Sequence, residues 1–271
     1  MTSFLIGVAF SRSKFLNVVA IVQARMTSIR FPGKVLHKVL GKPMLSIQLE
    51  RIRQVSQIEM VVLATTDNTS DDPIEKFASM ESVAIFRGSE NDVLGRFHGA
   101  ADVFNADVIV RLTGDCPLID PDIIDHVVKI FRDRRGVCNF VTNAIPRSYP
   151  AGLDVECFSR SALEIANAEA TECYDREHVT PYFYKHPDRF KALSVVCDKD
   201  LSKERWTLDE PSDFELIKKI IEGLYKQNPR FRMDDILTFL DLHPELRDLN
   251  SMVRETPRLI SDSILGELGY E

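Results

Sequence analysis

Three groups of residues have the types and spacing for phosphate chemistry. The first is Gln23-Ala-Arg-Met-Thr-Ser-Ile-Arg-Phe-Pro-Gly-Lys34, followed by Gly41-Lys42-Pro43-Met44. A polyphosphate needs backbone N–H groups, small residues that allow close approach, and mobile cations. Arg25 can grip phosphate oxygens with a bidentate fork, and Lys34 can act as a compact charge on the outer phosphates. The GxxxxGK[ST] spacing of a Walker loop is absent, so this is a different kind of phosphate loop. No Asp or Glu occurs before Glu50, where the chain's average would place about seven, yet Arg12, Lys14, Arg25, Arg30, Lys34, Lys38 and Lys42 all fall there. In a chain of net charge −7, a wholly cationic beginning points to a local anion site.

The second group is Thr113-Gly114-Asp115-Cys116-Pro117 and the third Trp206-Thr-Leu-Asp209-Glu-Pro-Ser-Asp213. A carboxylate beside a glycine at a strand end can hold magnesium, which prefers oxygen ligands and phosphate partners. Asp209 precedes a proline in a segment restricted to extended or turn geometry. Either carboxylate alone could be a turn residue, and Asp213 or Ser212 could simply cap the helix that follows. Two such carboxylates with a cationic loop are more specific than any one of them.

Those groups must be positioned by a larger frame. Short β-branched runs alternate with helical patterns, which predicts an α/β fold with a mainly parallel sheet. Strands are expected over Asn17 to Val22, Met60 to Thr65, Val83 to Phe86, Asp107 to Leu112, Cys138 to Thr142, Leu153 to Phe158 and Ala192 to Val196. Helices are expected over Met44 to Val55, Asp71 to Met80, Asp92 to Phe104, Pro121 to Arg132, Arg160 to Glu169, Asp175 to Lys185, Pro211 to Leu224 and Met233 to Leu242. From Glu245 the chain is polar and weakly patterned and is read as a tail. Ligands of such sheets bind beyond the carboxyl ends of the strands, which is where the residues after Val22, Thr65, Phe86 and Leu112 lie.

Composition narrows the function classes. The 271 residues, 44% hydrophobic and 28% charged, are ample for a buried core. No apolar stretch approaches the length of a membrane helix. The apolar Phe4 to Phe10 has its cations after it, the wrong order for a secretory signal, so residues 1–16 are read as an extension. The net charge argues against general nucleic-acid binding. Five scattered cysteines without a CxxC pair suit a reducing, cytoplasmic setting better than a zinc site or a disulfide framework.

The stretch VQARMTSIRFPGKVLHKVLGKPML resembles the opening signature of the cytidylyltransferase superfamily that makes CMP-activated acidic sugars. Among its branches the chain looks closest to the one named after spore coat polysaccharide biosynthesis protein F. FRGSENDVLGRF (Phe86 to Phe97), RLTGDCPLIDP (Arg111 to Pro121), YPAGLDVECFS (Tyr149 to Ser159), DREHVTPY (Asp175 to Tyr182) and RWTLDEPSDFELI (Arg205 to Ile217) continue the likeness in order. It runs from about Asn17 to Leu224. Departures from the pattern are the residues before Asn17, and Met26 and Ile29 in the loop, so acceptor chemistry cannot be copied from acidic-sugar synthetases.

The resemblance implies a three-layer α/β/α sandwich of the nucleotide-diphospho-sugar transferase type over residues 17–244, with a protruding dimerisation arm around 143–200, hence a homodimer. It implies catalytic Arg25 and Lys34, and a CTP site of Ala24, Arg25, Ser28, Lys34, Thr65, Thr66, Arg87, Gly88 and Thr113. Mg2+ would sit on Asp115 and Asp209. An acidic-sugar acceptor would meet Arg147, Tyr149, Asp154, Glu156, Glu177 and His178. His178 could orient an acceptor hydroxyl or could be structural. The implied reaction is attack by an acceptor oxygen on the α-phosphorus of CTP, releasing pyrophosphate. Two other classes fit the same fold. A glycosyltransferase would need a DxD pair, for which Asp120 and Asp122 have the spacing but look like helix caps. A non-catalytic nucleotide-binding subunit would not need the carboxylates and lysine together.

Overall fold

The computed structural model describes residues 16–253 and the two residues 269–270. The expected extension, apart from Leu16, and most of the tail lie outside the described residues.

In chain order the elements are β1 (Val18–Gln23), β2 (Lys38–Val39), β3 (Lys42–Pro43), α1 (Met44–Ile52), β4 (Met60–Thr66), α2 (Asp72–Glu81), β5 (Ala84–Gly88), α3 (Val93–Val103), β6 (Val108–Thr113) and α4 (Pro121–Asp133). Then follow β7 (Phe140–Thr142), β8 (Glu156–Ser159), α5 (Arg160–Glu169), α6 (Cys173–His178), α7 (Pro181–Lys185), β9 (Ala192–Ser194), α8 (Pro211–Leu224), α9 (Met233–Leu242) and β10 (Gly269–Tyr270). The main sheet has the order β10-β9-β7-β8-β6-β1-β4-β5. Only β8 runs against its neighbours; the pairs β1 with β4 and β6, and β4 with β5, are parallel. β2 and β3 form a separate small hairpin.

Alternation along β1 shows how the layers arise. Val18, Ala20 and Val22 face one core, shared with α1, α2, α4, α8 and α9, while Val19 and Ile21 face the other, shared with α3, α5 and α7. A strand buried on both faces must be apolar throughout, and all five of these side chains are fully buried. The architecture is therefore the three-layer α/β/α sandwich expected.

Local signals set the helix ends. Ser159 accepts from the Ala162 N–H to open α5, and Asp92 accepts from the Gly95 N–H to open α3. The expected helix from Asp175 to Lys185 is two helices. Pro181 lacks an N–H and opens the second helix at its first position, where no intrahelical bond is lost. The chain turns at Val179, whose φ of 72° and ψ of −62° form a tight turn closed by the Thr180 N–H on the His178 carbonyl at 2.9 Å. A β-branched residue is strained there.

The segment 143–200 also differs from expectation. β8 and β9 sit inside the sheet, and α5 and α7 pack on its second face. Much of the supposed arm is thus body. The stretch after Leu242 is more ordered than its polarity suggests. Pro244–Asn250 forms a 3-10 helix, and the Asn250 amide donates to the Arg205 carbonyl at 3.0 Å and the Asp213 carboxylate at 2.9 Å.

Candidate active site

The carboxyl ends of β1 and β6 are adjacent, and their connections are drawn together by backbone bonds. The Gly114 N–H donates to the Gln23 carbonyl at 2.8 Å. A Cβ on Gly114 would lie 2.9 Å from that carbonyl oxygen, so only glycine permits the approach. On the other side of Gly114, the Asp115 carbonyl accepts from the Leu208 N–H at 2.7 Å. This bond lays the segment before α8 alongside the end of β6. Asp209 and Asp115, distant in sequence, become neighbours in consequence.

Between them stands Lys34, at the start of a single 3-10 turn after Gly33, whose φ of 68° suits glycine. Its Nζ lies 3.2 Å from Asp115 Oδ2 and 2.8 Å from Asp209 Oδ1. Burial alone would lower the lysine's pKa, but the two carboxylates outweigh it and hold the pKa above its usual value. Burial would likewise raise the pKa of Asp209; Lys34, Arg205 and Arg30 reverse this and depress it. Arg205 Nη2 lies 2.9 Å from Asp209 Oδ2, and Arg30 Nη2 3.4 Å from Oδ1. The carboxylate is thus held charged by a ring of cations.

A cleft of about 370 Å³ opens at this point. Of the residues expected from sequence, Ala24, Arg25, Ser28, Lys34, Thr113, Asp115, Glu177, His178 and Asp209 line it. Glu177 and His178 arrive on α6, where His178 packs against Tyr174 at 4.4 Å between ring centroids and the strained turn at Val179 follows. Residues that sequence reasoning did not select also line the cleft, among them Gln23, Arg30, Val93 and Arg96.

Other expected residues are elsewhere. Thr65 and Thr66 are buried, with their hydroxyls on Asp71. Arg87 turns its guanidinium to Asp72 and to the carbonyls of Thr66 and Asn68, and Gly88 ends β5 beside it. Arg147 and Asp154 form a two-point ion pair at 2.8 and 3.1 Å. Tyr149 is buried, which pushes its phenol up to about 12. Glu156 is buried in β8, where its carboxylate accepts from Arg111, Thr180 and Tyr184. None of these eight lines the cleft among the described residues.

Asp71 is a site-shaping residue that the sequence reading treated as a helix opener. It is fully buried and accepts from both threonine hydroxyls, from the Thr66 N–H, and from the Met26 N–H at 2.7 Å. It therefore ties the end of β4 to the cationic loop.

Asp115 and Asp209 both reach one ammonium, so the pair converges on a point where a cation is held. Among the described residues no cluster of three or more His, Cys, Asp or Glu side chains forms a closed metal cage. Two carboxylates and an open cleft suit a divalent ion that keeps water and phosphate ligands. The alternative DxD pair does not form. Asp120 is buried, caps α4 through the Asp122 N–H at 2.9 Å and accepts from the Met233 N–H at 2.6 Å.

A parallel sheet with its polar cleft at the strand ends, a cationic loop and paired aspartates defines a nucleotidyltransferase of the α/β/α type. The sequence model of the cytidylyltransferase family matches residues 19–236, and the chain belongs to that family. It is 30% identical over 236 residues to the spore coat polysaccharide biosynthesis protein SpsF of Bacillus subtilis, covering 84% of this chain and 96% of that one. It is 33% identical over 118 residues to a 3-deoxy-manno-octulosonate cytidylyltransferase of Pelobacter propionicus, covering 44% and 46%. The solved structure of a cytidylyltransferase from Leptospira borgpetersenii superposes with a TM-score of 0.83 at 35% identity, covering 90% of this chain and all of that one.

Proposed function

We propose that this nucleotidyltransferase moves CMP from CTP to a sugar or sugar-like acid and releases pyrophosphate, in the biosynthesis of a polysaccharide or glycoconjugate. The observation that carries the reading is the meeting of Lys34, Asp115 and Asp209 beside the cationic loop. The family membership and the names of the two curated relatives support the base and the class of acceptor.

In this reading an acceptor oxygen attacks the α-phosphorus, and the bond to the β-phosphate oxygen breaks. The acceptor's proton goes to solvent or to a neighbouring base, and pyrophosphate leaves. The reaction needs positioning and charge stabilisation more than covalent help. Arg25 and Lys34 steady the phosphates that depart. Asp115 and Asp209 would hold a divalent metal, taken here as Mg2+, which supplies charge neutralisation at the phosphate under attack. Glu177 and His178, which reach the cleft from α6, are assigned to the acceptor. His178 is close enough to the cleft to orient an acceptor oxygen or take its proton.

The assembly accompanying this reading is a homodimer, checked by sedimentation. Its location is cytoplasmic, checked by cell fractionation; the five cysteines are all free thiols, and among the described residues no helix is long and apolar enough to cross a membrane.

The test is a pyrophosphate-release screen of four nucleoside triphosphates against a panel of acidic sugars. Release that requires both CTP and an acidic sugar is expected. Release of a nucleoside phosphate from a sugar-nucleotide donor would point to glycosyl transfer instead, and CTP binding without turnover on any acceptor to a non-catalytic subunit.

A further inference from the structure

Arg96 is a buried cation with no carboxylate in direct contact among the described residues. It projects from α3, is 4% exposed, and contributes to the wall of the cleft. Its Nη1 donates to the Ser89 carbonyl at 2.8 Å, and its Nε is buried with no acceptor among the described residues. Buried charges are ordinarily paired, because desolvation without a counter-charge is costly.

The acids around it are engaged elsewhere. Asp92 caps α3 and takes Arg176 Nε at 2.9 Å. Glu90 accepts from Thr27 at 2.8 Å and Asn68 at 2.6 Å, and lies 3.7 Å from Arg25. Asp71 is filled by the two threonines and the Met26 N–H. Meanwhile a second guanidinium, Arg25, lines the same cleft at 44% side-chain exposure. Burial and, next, the charge of Arg25 lower the pKa of Arg96 to about 10, which still leaves it protonated at neutral pH.

The position is built. A Cβ on Gly88 would sit 3.4 Å from Arg96 Cγ, so the arginine stem packs against the end of β5.

We propose that Arg96 and Arg25 together form a phosphate clamp in the cleft, with Arg96 the buried arm that waits for the anion of the nucleoside triphosphate. This rests on the nucleotidyl-transfer reading and adds to it a phosphate-binding group outside the Lys34–Asp115–Asp209 cluster. It also explains why a guanidinium is kept buried with nearby acids at a distance but none in direct contact among the described residues.

The experiment is calorimetric titration of the full chain and of Arg96→Met and Arg96→Lys with inorganic tripolyphosphate, with cytidine as the uncharged control, alongside thermal melting. Loss of a charge-assisted contact to phosphate predicts at least about ten-fold weaker tripolyphosphate binding in Arg96→Met. Arg96→Lys, which keeps the charge without the fork, should fall between. Cytidine affinity should not change. The melting temperature of Arg96→Met should stay at or above that of the parent, since an unpaired buried charge is removed. Undiminished tripolyphosphate affinity in folded Arg96→Met overturns the clamp. So does a variant that melts much earlier yet binds the anion normally, or one that loses only an acidic sugar. Tripolyphosphate carries no base, so a different nucleotide preference in the turnover screen would sink the CTP assignment and leave this result standing.

Discussion

Lys34 and Asp209 meet at 2.8 Å, Nζ to Oδ1, with Asp115 3.2 Å away on the same ammonium. The lysine comes from the loop after the first strand, and the aspartates from the end of β6 and from the segment before α8. One ammonium therefore joins three parts of the chain, and its place at the strand ends determines what the cleft can bind. Lys34→Ala or Asp115→Ala should keep the fold, because the buried Lys34 and the half-buried Asp115 both line the cleft and lie outside the apolar cores. Removing one preorganised group of this kind costs about 2.7–4 kcal/mol at the transition state, or roughly 10²–10³ in rate. The check is pyrophosphate release with circular dichroism on the same samples. Unaltered turnover in either variant would remove that residue from the chemistry.

Chelation gives a second expectation about the same pair. A divalent ion shared between two aspartates and phosphate should be readily removed, because the protein supplies no closed cage. EDTA should abolish pyrophosphate release, and added Mg2+ should restore it, with little change in the melting temperature. A large loss of stability on chelation would instead indicate a structural ion.

The acid limb of the stability profile should depend on Asp92. Burial would raise its pKa, but the bond from Arg176, the Gly95 N–H and nearby charge outweigh this and depress it below the ordinary 3.8. A carboxylate with a depressed folded pKa stabilises above its unfolded value, and the contribution is lost as pH falls through the folded one. Asp92→Asn should therefore melt earlier than the parent at pH 7, and the two curves should converge as the pH falls below the ordinary carboxylate value and through the depressed folded one. Parallel curves across that range would mean that the pair contributes nothing. Because Arg176 lies one residue before Glu177, the same variant should raise KM for the acceptor.

Much of this arrangement was legible in the chain. The helices over Arg160–Glu169, Pro211–Leu224 and Met233–Leu242 fall where the apolar period places them, because each has its own start signal and a full amphipathic face. Lys34 and Asp115 were readable because cation and carboxylate stood beside glycines in the connections after strands, and Asp209 because it stood just before a proline-led helix. Arg96 was not, since one arginine in an apolar helical pattern resembles a surface residue; only the fold shows that it is buried at the cleft. Asp71 was hidden for a similar reason. An acid at a helix start satisfies the dipole argument by itself, and only the fold shows that it accepts from Thr65, Thr66 and Met26. The single helix expected from Asp175 to Lys185 breaks at Val179, where a tight turn of positive φ interrupts the apolar period before Pro181 starts a second helix.

Gly152 should be among the least replaceable residues outside the cleft. Its φ is 104°, and a Cβ there would lie 2.6 Å from the Trp206 carbonyl carbon and 2.7 Å from the Thr207 nitrogen. These are backbone atoms, so neither can swing aside. Positive-φ strain alone is about 1–3 kcal/mol, and the clash adds to it. Gly152→Ala should lower stability by at least about 2 kcal/mol in denaturant melts. The displaced segment carries Asp209, so turnover per folded molecule should fall as well. Normal turnover at reduced stability would show that the segment's position is not critical to the site.

Asp71 provides the last expectation, and it separates loop positioning from phosphate contact. The carboxylate touches no cleft atom but holds the Met26 N–H at 2.7 Å, two residues before Ser28 and one after Arg25. Asp71→Ala leaves two buried threonine hydroxyls, the buried Thr66 N–H and the part-buried Met26 N–H without their acceptor. Each unmet donor costs about 1–3 kcal/mol, so the variant should lose about 3 kcal/mol or more. Asp71→Asn keeps one acceptor oxygen and should lose less. In that milder variant the loop is released while Arg25 and Lys34 remain, so KM for the nucleotide should rise several-fold and KM for the acceptor should not. Steady-state kinetics with each substrate varied in turn reads the split. An equal rise in both constants would mean that Asp71 supports the whole domain and has no particular hold on the phosphate loop.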